Sequence, residues 1–174
     1  MQYKLHYSWL AITCSALLLG CSPQEKTKEQ QAPISDDYQW DQPENFSMPE
    51  KLLEISGIAF HEGNPNTIFA IQDEVGEVYT INWNDTKSAQ TKFEKKGDYE
   101  DISILNNQIY ILRSDGTLYQ FPYEDLQKEE TRQTKQTSLL PEGEYEGMFG
   151  DEKTGLMYVL CKECKQDREN VSGY

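Results

Sequence analysis

Gln108-Ile109-Tyr110-Ile111-Leu112, then Arg113-Ser114-Asp115-Gly116, then Thr117-Leu118-Tyr119-Gln120-Phe121 reads as two short β-strands joined by a tight turn. The flanks are rich in β-branched and aromatic side chains, which suit a pleated, half-buried surface, and Asp-Gly supplies the positive φ that hairpin turns need. A related hairpin lies upstream: Thr67-Ile68-Phe69-Ala70-Ile71, the charged turn Gln72-Asp73-Glu74-Val75-Gly76, and Glu77-Val78-Tyr79-Thr80-Ile81-Asn82-Trp83. A short apolar segment precedes each hairpin, Ile55-Ser56-Gly57-Ile58-Ala59-Phe60 for the first and Glu100-Asp101-Ile102-Ser103-Ile104 for the second. A third start, Tyr145-Glu146-Gly147-Met148-Phe149, leads to Gly155-Leu156-Met157-Tyr158-Val159-Leu160. Matching Gly57, Asp101 and Gly147 gives offsets of 44 and 46 residues, so the chain carries an internal repeat.

A period of about 45 residues with about four short strands per unit is that of propeller blades. Helix-pair solenoids have similar periods, but their units need apolar residues every three to four positions over ten or more residues. No segment here supplies that stripe; Tyr123 to Gln136, with Leu126 among Glu124, Asp125, Glu129 and Glu130, has room for one or two helical turns as an outer connector. The fold class is therefore read as all-β, a β-propeller. The region 48–174 has room for about two and a half to three blades, where a closed ring takes about four to eight. The expectation is an incomplete propeller domain belonging to a longer reading frame, with one apolar blade face and one strand edge left open to water.

The first residues carry an address rather than a fold. Lys4 and His6 precede an apolar run from Trp9 to Leu19, too short to span a bilayer as a helix, and the run ends in Leu18-Leu19-Gly20-Cys21. Residues 1–20 read as a cleavable secretory signal ending in a bacterial lipobox. The peptidase needs small side chains at the scissile bond, and the thiol of Cys21 becomes the lipidation site. Several acyl chains hold a protein stably where one holds it marginally, at about 0.8 kcal/mol per buried methylene. Residues 21–47, the lipidated cysteine and a spacer of Gln, Glu, Lys, Asp, Pro and Ser, have no apolar period and read as a flexible tether, with Tyr38, Trp40 and Phe46 near its end available to dock on the domain. Ser22 after the cysteine, rather than Asp, favours the outer membrane over the inner.

The whole chain holds 16 basic and 30 acidic side chains; loss of Lys4 with the signal leaves 15 against 30, a formal charge of −15. Such a surface repels phosphate backbones and anionic headgroups, which argues against nucleic acid as a partner. The implied partners are the membrane, through the lipid, and a ligand or envelope protein that the sequence does not specify.

Several segments resemble the SdiA-regulated family: Leu53-Glu54-Ile55-Ser56-Gly57-Ile58-Ala59, Phe69-Ala70-Ile71-Gln72-Asp73-Glu74 with Val78-Tyr79, Asp98-Tyr99-Glu100-Asp101-Ile102-Ser103, and Glu144-Tyr145-Glu146-Gly147-Met148. The resemblance runs from about Leu52 to the last residue, and the chain departs from the family most in its length. It implies an extracytoplasmic propeller of about six blades, of which this chain would hold the first part. The chain is more distantly similar to phytase-like esterase propellers, which implies an alternative function, Ca²⁺-assisted hydrolysis in the cell envelope, beside the main expectation of a lipid-anchored binding or scaffold module. The resemblance by itself confers no reaction.

Innermost strands of a propeller line its channel, so Ser56, Glu100 and Glu146 are expected at similar heights around the axis, with Asp101 beside Glu100. Carboxylates that converge without a basic neighbour repel, and a hard cation such as Ca²⁺ relieves the repulsion, which makes Glu100, Asp101 and Glu146 the candidate metal ligands. The alternative is that Glu100 and Glu146 accept backbone N–H groups at strand starts. Asp73, Glu74 and Asp115 sit at matching turns and form a candidate ligand rim, against the simpler reading that they only build the turns. Cys161-Lys162-Glu163-Cys164 suits a local disulfide in an oxidising compartment, with a partner elsewhere, free thiols or catalysis as alternatives. A zinc site would want two more ligands. His61, the only histidine after residue 20, is poor material for a nucleophilic triad, so no catalytic residues are assigned. Tyr79, Tyr110, Tyr119 and Tyr158 are expected to pack between blades.

Overall fold

The computed structural model describes residues 42–83, 85, 87–165 and 172–174. The signal segment 1–20 and the spacer as far as residue 41, with Cys21, Tyr38 and Trp40, lie outside them. The compact unit runs from Glu44 to Tyr174.

This unit is all-β. Its first sheet is a meander of four antiparallel strands in chain order, β1 (Ile55–Ala59), β2 (Thr67–Gln72), β3 (Glu77–Asn82) and β4 (Ala89–Lys92). The second repeats it with β5 (Tyr99–Leu105), β6 (Gln108–Arg113), β7 (Leu118–Pro122) and β8 (Thr134–Gln136). The third holds β9 (Gly143–Asp151), β10 (Leu156–Cys164) and β11 (Ser172–Gly173), in spatial order β11-β10-β9. A 3₁₀ turn over Glu50–Leu52 leads into β1, and another over Tyr123–Gln127 connects β7 to β8 in the segment read as an outer connector.

The first strands of the three sheets lie side by side, β1 against β5 and β5 against β9. The repeat seen in the sequence is a repeat of register: Gly57 pairs with Ile71, Asp101 with Leu112 and Gly147 with Leu160, and the next row but one is Ala59 with Phe69, Ser103 with Tyr110 and Phe149 with Tyr158. Side chains alternate across a strand, so these rows point to one face of each sheet and the intervening row to the other.

Two cores result from that alternation. Phe69, Ile71 and Val78 of the first sheet, with Phe93 just after β4, meet Ile102, Ile104, Ile109, Ile111, Tyr119 and Phe121 of the second, and Phe93 is edge-on to Tyr99 at 5.0 Å. The opposite face of the second sheet, through Leu112 and Leu118, meets Tyr145, Met148, Val159 and the Cys161–Cys164 disulfide of the third. A smaller cluster of Leu52, Ala70, Tyr79 and Ile81 covers part of the far face of the first sheet. Phe46 rests on Trp83, ring centroids 4.5 Å apart, so the end of the segment read as spacer does meet the domain.

The tyrosines divide. Tyr119 is buried between the first two sheets and Tyr110 packs between the second and third, but Tyr79 lies under Leu52 on a face that no other sheet of the described residues covers, and Tyr158 is exposed. Among the described residues the expectation of inter-sheet packing is not met for the last two, because their faces have no described sheet beyond them.

Candidate functional site

The three inner strands share a local irregularity. Pairing skips one residue between Ile55 and Gly57 on β1, between Tyr99 and Asp101 on β5, and between Tyr145 and Gly147 on β9. The extra residues are Ser56, Glu100 and Glu146. A β-bulge leaves its residue outside the ladder and re-aims the side chain, and bulges cluster where a sheet presents function. The same end of the sheets carries the turns after β2 and β6.

Glu100 stands among acids. Burial raises its carboxyl pKa to about 7, helped by the negative charges of Asp98, Glu146 and Asp73 and by Asp98 within reach of a shared proton. Ser114 Oγ donates to the other side of this group, at 2.6 Å from Asp98 Oδ2. Ser56 Oγ and Asp73 Oδ1 are screened from water and find no hydrogen-bond partner among the described residues. Buried polar atoms left unpaired by protein groups cost stability.

Of the three expected metal ligands, Glu146 stands near enough to Glu100 for its charge to be felt, but Asp101 and Glu146 are each engaged elsewhere. Asp101 spends both carboxylate oxygens on the backbone: Oδ1 accepts Ile102 N–H at 2.8 Å and Oδ2 accepts Met148 N–H at 2.7 Å. Burial pushes its pKa up, and those two donors work against the rise. Ser103 repeats the device two residues on, its Oγ accepting Gly150 N–H at 2.8 Å. These two side chains stitch β5 to β9. It is Asp101, not the Glu100 and Glu146 named in the alternative, that accepts backbone N–H groups, whereas Glu146 pairs with Lys162 Nζ at 2.5 Å, with Glu144 3.7 Å from the same amine. The premise that no basic neighbour lies near is therefore corrected at Glu146. Among the described residues no group of three or more His, Cys, Asp or Glu is arranged to hold a metal ion.

The proposed rim divides as well. Asp115 is held in its turn by Arg113, whose Nε donates to Oδ1 at 2.9 Å, and by Thr117 N–H at 3.0 Å, so its carboxyl lies far below the usual range, chiefly through Arg113. Gly116, at φ +78°, donates to Arg113 O and closes that turn. Glu74 faces solvent with Lys96 at 3.5 Å, an exposed pair worth at most about 1 kcal/mol. Asp73 alone joins Glu100. His61, beyond the other end of β1, stacks on Tyr123 at 3.8 Å with Nε2 2.8 Å from Asn107 Oδ1, so it ties a loop of the first sheet to the second.

Sequence reasoning missed Asp98, Ser103, Lys162 and the two tyrosines that join the sheets. Tyr99 N–H donates to Asp73 O and its hydroxyl to Lys95 O, both at 2.7 Å; Tyr145 N–H donates to Ser114 O at 2.8 Å and its hydroxyl to Pro141 O at 2.7 Å. The signal was present, because an acid stands three residues before each matched position, as Glu54, Asp98 and Glu144, followed in two of the three by Tyr. Lys162 had no such signal, being on the strand opposite Glu146.

In comparison with known proteins, no family model matches the chain and no curated protein matches it.

Proposed function

We propose that the chain is a lipid-anchored protein of the bacterial cell envelope whose β-domain is a binding or scaffold module. The reading takes the three sheets as successive blades of a propeller of the SdiA-regulated kind, with the bulged end of the inner strands as the recognition face. One observation carries it: the extra residue falls at the same place in all three inner strands, at Ser56, Glu100 and Glu146. A ladder defect that recurs in register aims three side chains from one end of the stack, which is an arrangement for contact rather than for core packing. The anchor at Cys21 and the preference for the outer membrane complete the proposal from the sequence.

Ca²⁺-assisted hydrolysis has weaker support. Asp101 is committed to two N–H groups and Glu146 to Lys162, so two of the three expected ligands are already engaged, and among the described residues no group of three or more His, Cys, Asp or Glu is arranged to hold a metal ion. The purified chain is expected to hydrolyse neither p-nitrophenyl phosphate nor p-nitrophenyl acetate above background, with or without Ca²⁺, and Ca²⁺ is expected to leave its Tm unchanged. A Ca²⁺-dependent rise in Tm that Glu146→Gln abolishes, or hydrolysis lost in the same variant, replaces the binding module with the hydrolase.

A further inference from the structure

The segment before β1 is strapped along the face of the first sheet that turns away from the second. Phe46 rests on Trp83, the residue after β3, with ring centroids 4.5 Å apart. Trp83 is itself fixed, its indole N–H donating to Pro65 O two residues before β2. Lys51 Nζ donates to Gln90 Oε1 of β4 at 2.9 Å, and Leu52, 4% exposed, closes over Ala70, Tyr79 and Ile81. The strap then delivers Ile55 to the head of β1, opposite Gln72 at the last residue of β2. Its direction is thus set: Phe46 sits at the end of the sheet where Thr67 pairs with Asn82, and Ile55 at the end where Ser56 bulges, in line with Glu100 and Glu146. The two ends are about 20 Å apart, since strands of this length rise about 3.4 Å per residue.

We infer that this strap holds the bulged face away from the membrane, so that what the face binds is met in the aqueous compartment rather than within the bilayer. The inference rests on the lipid at Cys21 and on the recognition face of the proposal above. The compact unit starts at Glu44, and residues 22–43, 22 in number, separate it from Cys21. Taken as a coil from its composition, a tether of that length has a root-mean-square span of roughly 25 Å. That span is comparable with the height of the sheet, so the place where the chain joins the unit decides which end stays near the bilayer. Charge acts in the same direction. Glu54, Asp98 and Glu144 stand exposed at the bulged end, and anionic headgroups repel them.

The test is energy transfer from a dye on the acylated chain to acceptor-labelled headgroups in phosphatidylcholine vesicles, which carry no net charge and so isolate the strap. With Cys21 acylated and Cys161 joined to Cys164, Asn66→Cys and Glu74→Cys each offer one thiol, just outside opposite ends of β2. Transfer from residue 66 is expected to exceed that from residue 74 by at least about twofold, given the offset of about 20 Å. Phe46→Ala removes a ring that is 38% exposed, so Tm is expected to stay nearly unchanged while the two transfers move toward equality. A native chain that binds the vesicles with equal transfer from both ends, or with the order reversed, overturns the inference alone and leaves the binding-module proposal standing. A preference for residue 66 that Phe46→Ala leaves intact also overturns it, because the strap is then not its cause. A chain that does not bind the vesicles overturns the lipid anchor and this inference together.

Discussion

At the scale of single residues the informative group is Glu100. Its carboxyl titrates near 7 in the folded chain against 4.5 as the reference, raised first by burial and then by Asp98, Glu146 and Asp73. The folded state thus binds this proton more tightly than the unfolded state, and its contribution to stability is favourable below about 4.5 and is lost as pH rises through about 7. Glu100→Gln, which keeps the shape and removes the charge, is expected to raise Tm by roughly 3–5 °C at pH 8, a figure reduced for partial solvent screening, with the gain vanishing near pH 4.5. Thermal melts of both proteins across that range check it; a gain independent of pH would assign Glu100 a packing role only. Gly57 is a second residue with a fixed reason. A Cβ there would stand 2.8 Å from Asp101 Oδ1 and 2.9 Å from Ile102 N, so the close approach of β1 to β5 requires glycine.

At the scale of elements, the stitch from β5 to β9 is the part whose energy can be measured. Asp101→Asn replaces one acceptor oxygen by an amide that faces a backbone donor, and is expected to cost about 1–3 kcal/mol in urea unfolding. Ser103→Ala removes the second bond, to Gly150, for about 1 kcal/mol, and the double variant is expected to depart from additivity because both act across one strand pair. Additive losses would mean that β5 and β9 are held independently of the stitch. The hairpins and the repeat were legible in the sequence, since offsets of 44 and 46 align Gly57, Asp101 and Gly147, but the bulges just before those positions were not. Nor was the direction of the acids. A bulge shifts the alternation by one, so in Glu100-Asp101 the pattern cannot say which carboxylate enters the ladder's neighbourhood and which turns to the open end. Nor could spacing reveal Lys162 beside Glu146, because that contact crosses a strand pair whose register slips twice near it.

The whole molecule poses a different question, namely which faces meet water. Tyr110 and Tyr158 are equivalent in sequence and in register, yet one is packed and the other bare, because exposure depends on the next layer rather than on the strand. The same reasoning separates the two ways such a chain can reach a membrane. A body with 30 acidic and 16 basic side chains gains nothing from anionic headgroups, so attachment falls to the lipid proposed at Cys21. In cells the native chain is expected in the membrane fraction, retained through high salt and released by detergent. Cys21→Ser is expected to lose acyl labelling and to move to the soluble extract, with the β-domain still melting at the native temperature. Retention of the serine variant in the membrane through high salt would assign attachment to the exposed apolar side chains around Ile58 and Leu160, since apolar burial is insensitive to the screening that dissolves charge contacts.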